Sequence, residues 1–422
     1  MRDNTLLFST FDVFPSSKGA AIHINHTLQA LQKRFTAVHL VCLGSGDMPG
    51  YQEEGNIFIH RCLANHPNFL KRTQYFESFL FDVLDTLKDR LQVVHFRDIW
   101  SGMPLFEHPA IQKHDVLKIF EVNGLPSIEL PYHYPSLLRD PALISRIKAM
   151  EDFCLESADG IITVSRVNRR YLIQRGVEPG KILIISNTAL PIDEGEDEDE
   201  GEDEGEDEDE DEGEGEKVNA GDEPIILYAG TLSPWQGLPV LLQAFRSLSN
   251  REKLRLYILC SSHKHLQPLK KTIKKMKLSR RVTIEKSLGH GEVYRFYRRA
   301  YVSVAPLTRC GRNELQGCCP LKIIESMAVG TPVIASRLPV CAEIIDHQTD
   351  GWLVTPGSPR ALASALQMLL DHPKLRDGLG EQAKEKINRS FPYETWTIRH
   401  YDAYHTFSER RKNENEYRSG AT

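Results

Sequence analysis

The segment Pro320-Leu-Lys-Ile-Ile-Glu-Ser-Met-Ala-Val-Gly-Thr-Pro-Val-Ile-Ala-Ser336 places a cation, Lys322, three residues before a carboxylate, Glu325. It reads as a helix of about three turns, broken at Gly330-Thr331-Pro332 and followed by a short buried strand. Pro320 suits the first helical position, where its missing N–H costs nothing, and Gly330 suits the exit. Leu321, Ile324 and Ala328 then share one face, with Ile323 and Met327 beside them, and Lys322, Glu325 and Ser326 take the other. A cation and a carboxylate near the positive end of a helix suit a ligand with both phosphate and hydroxyl groups. The same spacing also fits a solvated Lys–Glu pair on an ordinary amphipathic helix.

Such a pair needs a scaffold, and the chain supplies two series of alternating strand and helix signals. In the first, Leu6–Ser9, Ala37–Cys42, Val93–Phe96, Leu117–Phe120, Gly160–Val164 and Ile182–Ile185 read as buried strands. His23–Lys33, Phe76–Leu91 and Leu143–Ser157 read as amphipathic helices between them. The second series has strands at Ile225–Tyr228, Leu254–Leu259, Val282–Ile284, Val302–Val304 and Val333–Ala335. Continuous apolar strands alternating with helices imply parallel sheets covered on both faces. Two such units predict a pair of Rossmann-like domains facing a central cleft, with ligands at the carboxyl ends of the strands.

A chain of 422 residues with 41% hydrophobic and 26% charged content fits two soluble domains. No apolar run approaches the roughly 20 residues of a membrane span, and the N-terminus shows no signal-peptide core. The eight cysteines are scattered without metal spacing, so reduced thiols in a cytoplasm are the simplest account. The net charge of −6 conceals an asymmetry. Asp193–Glu216 holds 19 of the 58 acidic residues, which leaves 52 basic against 39 acidic elsewhere, or +13. That tract cannot pack a core and reads as a disordered insert. The basic remainder favours an anionic ligand or surface. Its densest cluster, Lys270, Lys271, Lys274, Lys275, Lys277, Arg280 and Arg281, reads as a solvated helix face or as a contact for anionic lipid. No P-loop, H-E-x-x-H or G-x-S-x-G motif is present.

Pro320–Ser336 resembles the donor-site segment of the retaining glycosyltransferases of family four, nucleotide-sugar enzymes of the GT-B fold. Tyr228-Ala-Gly-Thr-Leu-Ser-Pro-Trp-Gln-Gly237, Ser17-Lys-Gly-Ala-Ala-Ile-His23, Asp159–Ser165 and Asp350–Val354 match further family segments, in the family's order. The resemblance spans nearly the whole chain. It implies an N-terminal acceptor-side domain over 1–190, the acidic linker over 191–221 and a donor domain over 222–390. A helix within 391–422 is expected to cross back to the N-terminal domain, with Trp396, Ile398 and Tyr401 available for packing.

The resemblance also implies roles. Glu325 would bind the ribose hydroxyls, and Gly19 and Gly230 would let backbone approach the donor. Each glycine alternatively marks a plain turn. Leu321 and the backbone N–H groups of Cys318 and Cys319, at the helix start, would help cradle the donor. The family's diphosphate-binding Arg and Lys fall at Thr231 and Gln236, and its first signature Glu falls at Gly317, so those groups are absent. Lys322 and Arg309, with Arg312, are the candidate replacements for the charge, and Glu314 for the sugar contact. His95, near the end of its strand, is the expected catalytic residue, with a purely structural histidine as the other reading. Arg97, Asp98, Glu121 and Asn123 are further cleft candidates. The expected activity is transfer of a sugar from a nucleotide-diphosphate sugar to a sugar, lipid-linked or small-molecule acceptor, with retention and without a metal or other cofactor. No nucleic-acid partner is expected. The location is expected to be cytoplasmic, with weak attachment to an anionic membrane face. The competing reading is an inactive sugar-nucleotide-binding or partner subunit.

Overall fold

The computed structural model describes residues 4–16, 19–64, 66–113, 115–189, 223–260, 265–286 and 288–420. The acidic tract and the expected boundaries around it lie outside the described residues, as do Ser17 and Lys18 of the first glycine loop.

Eight strands build the first sheet: β1 (Thr5–Val13), β2 (Ala37–Leu43), β3 (Tyr51–Glu54), β4 (Ile57–Cys62), β5 (Leu91–Phe96), β6 (Leu117–Val122), β7 (Gly160–Thr163) and β8 (Ile182–Ile184). Their order is β3-β4-β2-β1-β5-β6-β7-β8, and every pair is parallel except β3 with β4. The second sheet has β9 (Ile225–Ala229), β10 (Arg255–Cys260), β11 (Val282–Lys286), β12 (Val302–Ala305), β13 (Val333–Ser336) and β14 (Trp352–Val354). It runs β11-β10-β9-β12-β13-β14, parallel throughout. The β3–β4 hairpin has no counterpart in the sequence reading. Its exposed strand Tyr-Gln-Glu-Glu lacks the apolar run that marks a buried parallel strand.

Each sheet is sandwiched between helices. In the first, Phe76, Leu80 and Leu84 of the helix Phe69–Leu87 cover one face, and Ile24, Leu28 and Leu31 of the helix Gly19–Leu31 cover the other. The helix Tyr393–Gly420 joins this second face through Trp396, Ala403, Tyr404 and Phe407. Ile398, expected to pack there, is 54% exposed, because its position on the helix points it away from the sheet. A further apolar cluster joins the halves: Val164, Val167 and Ala189 meet Cys318, Cys319 and Ile323.

The helix that carries Lys322 and Glu325 is Leu321–Ala328, eight residues long, with Pro320 at the cap position rather than inside. Its division of faces differs from the expected one. Glu325 and Ser326 are buried along with Ile323, Ile324 and Met327, and the Ser326 hydroxyl bonds Ser303 of β12 at 2.5 Å. A helix pressed on a sheet from one side and on neighbouring helices from another buries more than one apolar stripe, so polar residues enter the core where partners await them.

Candidate active site

A cleft of about 1100 Å³ lies between the two sheets. Its lining follows the carboxyl ends of strands in both halves: Arg97 and Asp98 after β5, Asn123 after β6, Asn187 after β8, Gly230 after β9. Doubly wound sheets expose their crossover loops and helix starts at this edge.

On the C-terminal wall, Gly230 has φ +144°, and a Cβ there would lie 2.7 Å from Lys322 Nζ. The glycine therefore lets the lysine approach the loop backbone closely, in a conformation side chains rarely adopt. Lys322 Nζ donates to Gln236 Oε1 at 2.8 Å and stands 4.1 Å from the centre of the Tyr228 ring. Gln236 Nε2 in turn reaches Thr231 Oγ1 at 3.4 Å. Thr231 and Gln236 thus form a polar seat for Lys322. Burial pulls the Lys322 ammonium down to about 7, against the pull of Glu325. Burial likewise pushes the Glu325 carboxyl up to about 7, opposed by the Tyr297 hydroxyl at 3.4 Å and by Lys322.

The other expected donor residues separate. Gly19, Cys318, Cys319 and Leu321 line the cleft, and a Cβ on Gly19 would sit 3.4 Å from Leu321 across the gap. Arg309 does not line it. Its exposed guanidinium turns to Glu314 at 3.1 Å, which also removes Glu314 from the sugar's reach. Arg312 does line the cleft, over the Trp235 ring at 5.0 Å and with Nε 2.9 Å from Glu129 Oε1. Gly317 explains why no glutamate can stand at its place: φ is +84°, and a Cβ would lie 2.6 Å from the Asn168 backbone nitrogen.

His95 is fully buried beneath the cleft rather than on its surface. Its Nδ1 lies 2.6 Å from the Tyr404 hydroxyl, and its Nε2 lies 3.1 Å from Glu121 Oε2. The alternation of β5 turns it toward the helix Tyr393–Gly420, whose Tyr404 it contacts, and away from the cleft lining. Like His133 and His265, His23 on the helix Gly19–Leu31 does line the cleft. Its Nε2 sits 2.6 Å from Glu121 Oε1, and its Nδ1 sits 3.0 Å from Asn187 Oδ1. Asn187 Nδ2 donates to the Cys319 carbonyl at 2.8 Å, so this chain of contacts crosses from one half to the other. Burial pushes Glu121 upward, but His23, Arg97 and the two imidazole contacts outweigh it and hold the carboxyl well below its usual range. Asn123 also donates to Glu121.

Sequence reasoning missed His23, Asn187 and Trp235 as site residues. Trp235 packs edge-on to Tyr132 and His133, at 5.6 and 5.1 Å. Its contacts span about a hundred positions, so no local pattern marks them. His23 carried one signal, its place one helical turn after Gly19 at the start of a helix.

Two family models divide the chain between them: Glycosyltransferase Family 4 over residues 17–189 and Glycosyl transferases group 1 over residues 209–386. The chain is a GT-B glycosyltransferase. An uncharacterized glycosyltransferase of Methanocaldococcus jannaschii is 23% identical over 386 residues, covering 89% of this chain and 91% of its own. The alpha-D-kanosaminyltransferase of Streptomyces kanamyceticus is 27% identical over 168 residues, or 40% and 42% of the two chains. Among solved structures, this glycosyltransferase resembles the sucrose-phosphate synthase of Thermosynechococcus elongatus, with a TM-score of 0.78 at 20% identity over 96% of this chain and 100% of that one. The Anabaena protein HepE in complex with UDP-glucose gives 0.68 at 14% identity, over 96% and 100%. Both structures share the fold of this chain.

Proposed function

We propose that this glycosyltransferase takes a nucleotide-diphosphate sugar at the C-terminal wall and passes the sugar, with retention, to an acceptor held by the N-terminal wall. One observation carries the reading: Lys322, Glu325 and the Gly230 loop converge in the cleft at the carboxyl edge of the second, parallel sheet. Lys322 and the N-terminus of its helix would meet the diphosphate, and Glu325 would accept hydrogen bonds from the ribose hydroxyls. The structural relative solved with UDP-glucose supports a sugar nucleotide as donor.

In this mechanism the bond from the anomeric carbon to the diphosphate breaks as the acceptor oxygen approaches the same face. The acceptor proton passes to the departing phosphate oxygen. Positioning and charge neutralisation then supply most of the acceleration. The commitments of nearby carboxylates support this reading. Glu121 is held by His23, His95 and Arg97, and Glu129 by Arg312 and Gln316. Asp98 accepts the Phe11 and Ser101 N–H groups at 2.7 and 2.9 Å. A protein nucleophile would have to leave such partners first.

Reversible attachment to an anionic membrane is part of the proposal. Lys270, Lys271, Lys274, Lys275, Lys277 and Arg280 are exposed on and after the helix Leu266–Lys275. Arg281 leaves that cluster: it bonds the carbonyls of Leu248, Arg251 and Leu254 and lies over Phe245. No helix among the described residues is long and apolar enough to cross a membrane.

A thermal-shift screen against UDP-, GDP- and ADP-sugars tests the donor, followed by NMR of the product's anomeric configuration. Stabilisation by one nucleotide class and a retained anomer are expected. Lack of response to all three classes would defeat the donor assignment, and an inverted product would defeat retention.

A further inference from the structure

We infer that the acidic segment Asp193–Glu216 of this same chain docks on the exposed basic face of the helix Leu266–Lys275 and shields it from other polyanions. The inference shares that face with the membrane proposal above, and its experiment separates the two. On this helix Leu266, Leu269 and Ile273 turn inward to the core. Lys270, Lys271, Lys274 and Lys275 are left exposed, with Lys277 and Arg280 just beyond the helix end. None of the six forms an ion pair among the described residues. No carboxylate occurs in the sequence between His265 and Ile284. Lys270 and Lys274, like Lys271 and Lys275, stand four residues apart on the helix, where like charges repel.

Topology brings the acidic segment to this place. The described chain resumes at Glu223, whose carboxylate meets Arg255, the first residue of β10, at 3.0 Å. Ile225 of β9 pairs with Arg255, and Leu256 of β10 pairs with Val282 of β11. Neighbouring strands lie about 4.8 Å apart, so the entry to β9 stands roughly 10 Å from the entry to β11. Arg280 is two residues before Val282, and Lys277 is five before it. Glu216 precedes Glu223 by seven residues, a reach of at most about 25 Å. The tether therefore keeps the acidic segment's last residues within reach of the basic face.

Charge selects the occupant. The segment holds 19 acidic residues in 24, the other five are glycine, and it carries no basic residue. Its complement is the densest run of cations in the chain, set beside the point where the segment rejoins the fold. Because it belongs to the same chain, it meets those lysines at an effective concentration on the order of millimolar. A free polyanion or a lipid surface has to displace it. Exposed ion pairs are individually weak, so such a contact rests on many of them at once and yields to salt.

The experiment treats the full chain with a carbodiimide, which joins a carboxylate directly to a lysine amine, and reads the cross-linked peptides by mass spectrometry. Cross-links from 193–216 should concentrate at Lys270, Lys271, Lys274, Lys275 and Lys277, and fall by about fivefold or more at roughly 0.5 M salt. Lys270→Glu with Lys274→Glu, both at exposed positions, should reduce them to a similar extent. Cross-links spread evenly over exposed lysines such as Lys71, Lys88 and Lys374, or unchanged in the double variant, would overturn the inference. Cross-links between isotope-labelled and unlabelled chains would assign the contact to a second copy and overturn it too. In a second arm, Asp→Asn and Glu→Gln throughout 193–216 should tighten binding to phosphatidylserine-containing vesicles by about tenfold. Equal vesicle binding by the two forms would overturn the shielding. Failure of both forms to bind vesicles defeats the membrane reading alone, since the cross-links need no lipid and decide this inference by themselves.

Discussion

Lys322 Nζ donates to Gln236 Oε1 at 2.8 Å, which joins the start of one helix to the loop after β9. Lysine can only donate, so the Gln236 amide is fixed with its oxygen toward Lys322 and its nitrogen toward Thr231. Two uncharged side chains thereby hold the cation where a diphosphate would sit. Lys322→Met should weaken nucleoside-diphosphate binding by roughly 1.5–3 kcal/mol and leave nucleoside binding nearly unchanged. Gln236→Ala should have a smaller effect in the same direction. Calorimetry with the two ligands decides it: equal losses for nucleoside and diphosphate would remove Lys322 from the phosphate seat.

The pH dependence follows from the same pair. Burial brings the Lys322 ammonium to about 7 in the free protein, and a bound diphosphate would raise it. Affinity is then full below about 7 and falls as pH rises through that value. Glu325 also stands near 7 when free, and hydroxyl donors would lower it, so affinity is full above 7 and falls toward acid. Diphosphate affinity should therefore peak near neutrality. K322M should remove the alkaline limb and Glu325→Gln the acid limb. A flat profile in the unaltered protein from about pH 5.5 to 8.5 would contradict the shared assignment.

The legible parts of this molecule were those with local causes. Apolar runs bounded by helices declared the strands of both sheets except β3, β4 and β14, and Pro320 announced the helix start that holds Lys322 and Glu325. What escaped depended on distant partners. β5 ends at Phe96 with His95 on the face that the helix Tyr393–Gly420 covers, and Tyr404 lies 309 positions away. Arg97, two residues on, emerges past the strand end and reaches the cleft. Strand parity alone cannot tell which of two faces a terminal helix will close. Arg309 and Arg312 pose the same problem: the first finds Glu314 nearby, the second finds Glu129 from the other half.

Because His95 is buried between Glu121 and Tyr404, its removal should cost stability rather than chemistry. His95→Phe leaves a carboxylate and a hydroxyl short of a partner, at about 1–3 kcal/mol of unfolding free energy. His23→Ala, at the cleft, should instead lower kcat/KM by about tenfold or more with a smaller change in melting temperature. Denaturant unfolding and steady-state kinetics on both variants separate the roles. A folded His95→Phe protein without activity would restore His95 to the chemistry.

Gly317 closes the seam between the halves. Beside it, Glu343 accepts the backbone N–H groups of Arg166 and Val167 at 2.8 and 2.9 Å, capping a helix of the other half. Gln316 accepts from Leu125 N at 2.9 Å. Gly317→Ala forces a Cβ against the Asn168 backbone from a left-handed conformation, which should cost roughly 1–3 kcal/mol. Gly317→Glu should fail to improve activity, although it restores the family's residue type. A Gly317→Glu protein with wild-type stability and higher turnover would show that the backbone can yield there.

The exposed cluster from Lys270 to Arg280 leads to the last prediction. Six basic side chains on one surface, at ~1 kcal/mol each near an anionic bilayer, suffice for weak and reversible attachment. Co-sedimentation should be strong with phosphatidylserine-containing vesicles, weak with neutral ones, and lost at roughly 0.5 M salt, where screening shortens to a few ångströms. Lys270→Glu with Lys274→Glu should abolish it, because both positions are exposed on the same helix surface. Arg281→Gln should leave lipid binding intact and lower the melting temperature, since that guanidinium serves three backbone carbonyls instead. Equal sedimentation with neutral and anionic vesicles would leave the cluster as a solvated helix face.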